Sequence, residues 1–412
     1  MPALPPPMRI REFRRLWVAI LLSGFAAQMI EVAVGWQVYA IHHDAFDLGL
    51  IGLCEFVPLP LLALPAGQLA DRLSRPLVFS ASVLAQAGVA GLLLAVTVGG
   101  ARQLWAFLAL AFVTGVTGAF GQPAARALTP ELVPGDLLAG ALALRSIAFQ
   151  VATVAGPAAG GLLFALRPEA VYAVGAAFLV LSAGALARLP RRQGADSLAA
   201  EPGVASLLGG IRLIRRTPIL LGAITLDLFA VLFGGAVALL PLFAKSVLHV
   251  GPAGLGVLRS VPAFGALAAG IILTRRPVGG RAGRKLLVVV ALFGASMVVF
   301  GLSKWFWLST LALAVSGFVD MFSMNIRSTT IALATPNVLL GRVNSVELVF
   351  ISASNELGAF ESGAAAALLG AVPAVVAGGA VTIGLALVWP WVFPALARVD
   401  RLESLQVRAE AA

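Results

Sequence analysis

Apolar residues run along this chain in long blocks with few charges inside them, and the blocks recur from near residue 16 to near residue 394. Each approaches or exceeds the roughly 20 helical residues needed to cross a hydrocarbon layer about 30 Å thick. The pattern predicts an all-α integral membrane protein of twelve transmembrane helices. They fall at about 16–41, 48–70, 77–98, 104–123, 138–166, 169–187, 218–244, 252–274, 285–302, 305–326, 345–370 and 372–394.

Composition agrees with lipid as the solvent. At 60% hydrophobic and 12% charged residues, with 44 glycines in 412 positions, the chain lacks the polar surface that a water-soluble fold must present. A net charge of +10 raises the question of a nucleic-acid partner, and the placement of the basic residues answers it. Of the 29, one set of alternate connections holds all except Arg102, Arg167, Lys245 and Lys304, which lie in the opposite set, and Arg259, which lies inside a segment. The positive-inside rule assigns the rich set, and with it both termini, to the cytoplasm. The first segment is too long for a signal-peptide core and no clear small-residue cleavage site follows it, so it is expected to remain as a helix.

Cys54 is the single cysteine, which excludes a disulfide framework or a cysteine metal cluster within one chain. His42, His43, Asp44 and Asp47 cluster in one connection, and a solvated loop is a better reading of them than a metal site. The chain holds no phosphate-binding G-x-x-x-x-G-K-S/T loop, so ATP hydrolysis on it is not expected, and no cofactor is expected either.

The longest polar stretch, Arg188 to Thr217, divides the segments six and six. The expected organisation is an N-terminal six-helix bundle over 1–190, a cytoplasmic linker over 191–217 and a C-terminal bundle over 218–412. A shift of 202 residues maps Pro134, Leu137 and Leu138 onto Pro336, Leu339 and Leu340, Gly156 onto Gly358, and Gly161 onto Gly363. A shift of 204 maps Gly52, Val57 and Pro58 onto Gly256, Val261 and Pro262. Matches at nearly one offset in equivalent helices predict two parallel six-helix repeats, an arrangement that forms substrate sites near the midplane between repeats.

Between segments two and three, Gly67-Gln68-Leu69-Ala70-Asp71-Arg72-Leu73-Ser74-Arg75 resembles the cytoplasmic loop signature of the major facilitator superfamily, with Ser74 in place of a glycine and Pro76 in place of a basic residue. Gly67, Asp71, Arg72 and Arg75 are therefore candidates for a cytoplasmic gate, with Asp71 facing the N-terminal dipole of segment eleven. Ordinary flanking charges are the plainer reading. The matching place in the second half offers Gly270, Arg275, Arg276 and Gly283-Arg284-Lys285 without an acid, so that loop is degenerate.

In segment five, Gly156-Pro157-Ala158-Ala159-Gly160-Gly161 resembles the core of the superfamily's antiporter motif, with Ala152 at the site of an earlier glycine. Gly-Pro bends a membrane helix and frees a carbonyl, while small residues at this density admit a close neighbour. Packing alone would also use them. Thr335 to Ser345 resembles the branch of the superfamily that contains the bacterial enterobactin exporter and is also similar to macrolide and other drug exporters. The resemblance spans nearly the whole chain and implies the major facilitator fold, a bacterial inner membrane, a small-molecule substrate and a monomer in the lipid bilayer.

Acids inside apolar helices are costly and generally face a cavity or a partner. Glu31 lies near the middle of segment one beside Gln28 and Gln37, and Asp227 lies within segment seven. The family resemblance implies that segments one, four, seven and ten line a central cavity. An acid there can take up and release a proton as its access to water changes, which proton antiport requires. Glu31 and Asp227 are thus the leading proton-coupling candidates, joined by Glu356, and Gln28, Gln37 and Asn355 are candidate cavity residues. Each acid could instead be a hydrogen-bonded joint between helices.

Glu55 and Arg259 sit at equivalent depths of segments two and eight and form one candidate gate pair. Asp320 and Arg327 share a face of segment ten and form another. Glu356 and Glu361, about 140° apart on their helix, cannot share a narrow stripe, and Glu347 is expected in the first turn of segment eleven.

The reading that unites these features is a proton-coupled exporter of a siderophore or amphiphilic drug working by alternating access. An importer or uniporter of a small solute is the nearest alternative, and a membrane sensor, scaffold or intramembrane enzyme is more distant.

Overall fold

In a hydrocarbon layer every backbone N–H and C=O must be paired within the protein, and a helix does so locally for each apolar block. The computed structural model describes residues 5–190, 204–403 and 405, although the side chains of 63–64, 67–68, 70–72, 204–208 and 337–338 lie outside the description. Among the described residues the regular structure is entirely helical.

The helices of the first half are α1 (Arg11–His42), α2 in two parts (Ala45–Phe56 and Pro58–Arg72), α3 (Arg75–Val98), α4 (Leu104–Leu132), α5 (Gly135–Leu166) and α6 (Pro168–Ala187). Those of the second are α7 (Pro218–Gly234), α8 (Pro252–Arg275), α9 (Ala282–Leu302), α10 (Phe306–Ala334), α11 (Asn337–Leu369) and α12 (Ala371–Val392). Eleven candidate spans among the described residues are long and apolar enough to cross a membrane. The remaining helix, α11, is 33 residues long and carries Asn344, Glu347, Asn355, Glu356 and Glu361 along its length.

Proline opens the second part of α2, α3, α6 and α7, at positions where its missing N–H costs nothing. Proline also stands inside α4, α5, α8 and α12 without ending them. Beyond Gly234 the chain of α7 continues irregularly, through a 3-10 turn at Val237–Leu239 and a π turn at Phe243–Val247.

Several helices reach further than hydropathy suggests. α4 runs to Leu132, α5 starts at Gly135, α10 runs to Ala334 and α11 starts at Asn337. Arg126 and Arg327 therefore lie inside helices, because a hydropathy window closes at the first polar cluster while the backbone ladder continues through it. Glu347 is three turns into α11 and not in its first turn.

By contacts the chain forms two compact units. Unit 1 comprises residues up to His43, Leu50–Ala199 and His249–Ser260, and unit 2 comprises Asp44–Gly49, Ala200–Leu248 and the chain from Val261 onward. Each takes a short helical segment from the other half of the sequence.

Inside unit 1, α1 packs on α5 and α6, and α3 packs on α4 and α6. Inside unit 2, α7 packs on α11 and α12, and α9 packs on α10 and α12. The same pairings recur six helices later, as duplication requires. Cores of small and branched residues fill the seams, such as Leu16, Ala19, Ala26, Val83 and Leu128 in unit 1 and Ala223, Leu226, Leu286, Val290 and Ile326 in unit 2.

Part of the linker is helical. The helix Val204–Arg216 belongs to unit 2, where Ile214 is buried with Leu220, Val343 and Val346, and a Cβ on Gly210 would stand 2.8 Å from the Arg342 carbonyl oxygen.

Candidate transport site

Unit 1 is assembled around the glycines of α5. A Cβ on Gly156 would stand 2.7 Å from Gln28 Cβ, and one on Gly160 would stand 2.8 Å from Met29 Cα. Both positions are thereby held against the middle of α1. Gly161 meets the start of α8, where its Cβ would fall 2.9 Å from Gly256 Cα. α5 thus brings α1 and the first turns of α8 together, a close approach that only missing side chains allow.

The charge pair of unit 1 follows from that crossing. Arg259 stands one turn past Gly256 and Glu31 two residues past Met29, and the Arg259 Nη2 donates to Glu31 Oε1. Glu31 is accessible, with 46% of its side chain exposed, while Arg259 is held at 12%. Glu31 is therefore a carboxylate partner of Arg259, alongside the Glu55 expected from equivalent depth.

Gln37 lines a cavity with Trp36, Thr97 and Phe164 and also joins helices. Its Oε1 accepts from the buried Tyr172 hydroxyl at 2.6 Å, and its Nε2 donates to Thr97 at 3.1 Å, joining α1 to α6 and α3. Nearby, His42 Nε2 lies 2.8 Å from the Arg102 carbonyl oxygen.

Unit 2 holds the second charge pair. Asp227, in the third turn of α7, is bound by Arg327 of α10, and both side chains are nearly buried, at 11% and 8% exposure. Glu347 of α11 lies within electrostatic range of Arg327. Asp320 lines a small cavity with Asp227, Ala230, Val231, Val290, Phe293 and Ser323. It is accessible although it lies deep along α10, as a side chain facing a cavity should be. The expected Asp320–Arg327 contact is thus replaced by an Asp227–Arg327 pair, with Asp320 beside it in the cavity wall.

Of the remaining candidates, Asn355 is exposed and Glu356 half-buried on α11. The backbone of Gly67, Asp71 and Arg72 belongs to the second part of α2, and their side chains lie outside the described residues. Arg75 opens α3 and pairs with Glu131 of α4 at 3.4 Å.

Three arrangements had no local signal in the sequence. At the start of α9 the segment after α12 folds back, so that the Arg281 N–H donates to Asp400 Oδ1 at 2.7 Å and the Ala282 N–H to the Asp400 carbonyl at 2.9 Å. The acid missing from that loop is thereby supplied from elsewhere in the chain. In unit 2, Gly49 of α2 meets Gly363 of α11, where a Cβ on Gly363 would stand 2.7 Å from Gly49 Cα. In unit 1, Arg145 Nη1 reaches the carbonyl oxygen of Arg126 at 3.4 Å.

Comparison with known proteins places this architecture. A family profile described as a transmembrane secretion effector matches residues 3–410. The enterobactin exporter EntS of Citrobacter koseri is 27% identical over 385 residues, covering 91% of this chain and 90% of that protein. EntS of Shigella dysenteriae serotype 1 is 26% identical over 375 residues, covering 89% of this chain and 88% of that one.

Among solved structures, an inward-facing, unoccupied bacterial homolog of the human lysosomal transporter Spinster superposes with a TM-score of 0.73 at 15% identity, covering 98% of this chain and 99% of that chain. A D-xylose-proton symporter superposes with a TM-score of 0.68 at 13% identity, covering 93% and 97%. At such identities the likeness is one of fold, and the fold is that of the major facilitator transporters.

Proposed function

The chain belongs to the transmembrane secretion effector family of major facilitator transporters, and on that premise we propose that it is a proton-coupled exporter of an amphiphilic small molecule, a siderophore or a drug, working by alternating access. Both termini face the cytoplasm of a bacterial inner membrane in this reading, which the one-sided distribution of arginine supports. The export direction draws on the similarity to EntS, an enterobactin exporter.

The observation that carries the proposal is the Glu31–Arg259 pair. An accessible acid in the middle of a membrane helix, held by one arginine, has two low-cost states. Ionised, it binds Arg259. Protonated, it loses the attraction and releases a guanidinium that must then find water or another acceptor. A proton arriving at Glu31 is thereby coupled to a change in what α1 and α8 hold on to. Asp227 is the lesser candidate, because its own arginine is buried with it, and Glu356 stands third.

The test is transport by the purified protein in sealed liposomes with an imposed proton gradient, following internal pH and substrate together across a panel of siderophores and amphiphilic drugs. Substrate-dependent proton flux in the wild type is expected. In Glu31→Gln, downhill exchange should persist while uphill export is lost. Uphill export that survives this change would sink the assignment, and substrate movement without protons would favour a uniporter.

A further inference from the structure

Arg126 of α4 and Arg145 of α5 are a pair of like charges without a carboxylate partner among the described residues. Arg145 is the eleventh residue of its helix, about 15 Å along the axis from the start at 1.5 Å per residue. Arg126 lies about two turns before the end of α4. The hydrogen bond from Arg145 Nη1 to the Arg126 carbonyl, at 3.4 Å, brings the two stretches together, and the Arg126 charge acts on Arg145. Arg126 is exposed and Arg145 half-buried. Among the described residues neither has a carboxylate partner, whereas Arg75, Arg259 and Arg327 each have one.

The internal repeat sharpens the anomaly. The offset of 202 residues that relates α5 to α11 carries Arg145 onto Glu347. In unit 2 that position is an acid within range of an α10 arginine; in unit 1 it is a second arginine facing an α4 arginine. The same corner of the fold is neutralised from within in one unit and left doubly positive in the other. Two guanidinium groups repel at short range, and an anion between them reverses the sign of the interaction through charge-assisted, often bidentate hydrogen bonds. Leu142 and Phe149, one turn to either side of Arg145 on the same stripe, are exposed at 44% and 63%, so apolar surface adjoins the charge.

We propose that Arg126 and Arg145 form a binding site in unit 1 for the anionic group of the transported compound, which makes the substrate an amphiphilic organic anion, such as a carboxylate or phenolate on an apolar body, and not a cationic drug. The inference that this anion is cargo rests on the exporter reading; the anion site itself does not. An anionic lipid headgroup offers the same chemistry from a second source, because arginines near helix ends can reach headgroups.

The test uses two probes with one fluorophore and opposite charge, dansylglycine and dansylcadaverine, titrated into the full-length protein in phosphatidylcholine nanodiscs. The wild type should bind dansylglycine. Arg126→Gln and Arg145→Gln should each weaken it by about tenfold or more, with dansylcadaverine binding unchanged. Arg145→Glu, which copies the charge of the repeat position, should abolish dansylglycine binding while the thermal unfolding midpoint holds or rises, separating loss of the site from loss of fold.

Absent binding of dansylglycine to the wild type, equal affinity in the variants, or parallel loss of both probes would overturn the proposal. So would competition for the site by added phosphatidylglycerol with no effect of either variant in pure phosphatidylcholine, which would mark a lipid site. In liposomes, if dansylglycine binding depends on both arginines and no outward transport occurs, the exporter reading fails and the anion site stands. Outward transport untouched by either variant overturns the site and leaves the exporter reading in place.

Discussion

The Glu31–Arg259 and Asp227–Arg327 pairs differ in the quantity that decides what a salt bridge can do. In unit 1, Glu31 has nearly half of its side chain in contact with solvent space; in unit 2, both Asp227 and Arg327 are enclosed. With Glu31 exposed, solvent competes for its carboxylate and the pair contributes about 0–1 kcal/mol, although Arg259 is held at 12% exposure. Removing one member of an enclosed pair costs about 3–5 kcal/mol, because the survivor is left charged without water. In the proposed cycle the first would open and close, whereas the second joins α7 to α10. The glycine crossing at Gly161 and Gly256 brings the pair with the exposed acid together.

The comparison breaks most readily at Arg327. Replacing it with leucine leaves Asp227 enclosed without its arginine and removes the cation that acts on Glu347. Arg327→Leu is expected to lose about 3–5 kcal/mol of stability, seen as a large fall in the thermal midpoint of the purified protein. Adding Asp227→Leu should restore part of it.

Next in size are the glycine crossings. Gly161→Val places a side chain on the backbone of α8, and Gly363→Val places one on α2. Each should cost about 1–3 kcal/mol through forced separation of backbones, and disulfide trapping across the crossing would report the loosened contact.

Smaller again is Tyr172→Phe. It removes one hydrogen bond to Gln37 and should cost about 1 kcal/mol, with transport per folded molecule unchanged if Gln37 acts as a joint. A selective rise in the substrate concentration for half-maximal transport would instead assign Gln37 to substrate contact.

The smallest effect on stability is expected for Glu31→Gln, under about 1 kcal/mol, although the same change should abolish uphill export. A large destabilisation there would erase the distinction between the two pairs.

Much of the architecture is legible because lipid enforces it. Apolar block length sets the number of helices, and the 202-residue offset anticipates the repeated packing of α1 on α5 and α7 on α11. Acids such as Glu31 and Asp227 stand out by the cost of placing them there. Their partners do not stand out, because partnership depends on helix crossings. Arg259 reaches Glu31 across 228 positions of sequence, and Tyr172 reaches Gln37 across 135. Hydropathy also hides charges near helix ends, which is why Arg126 reads as a connection residue although α4 carries it. The acid that caps α9 escaped for the simplest reason: it comes from another part of the chain.

That cap has a consequence for biogenesis. The Arg281 N–H is satisfied by an oxygen that lies 119 residues later, and Leu396, Val399, Leu402 and Leu405 share its core with Leu286 and Val290. At the usual pace of synthesis, about 5–20 residues per second, α9 emerges from the ribosome on the order of ten seconds before its cap. During that interval the start of α9 must be held by water, by headgroups or by an insertion factor. A nascent chain stalled just short of Asp400 would preserve that waiting state for inspection.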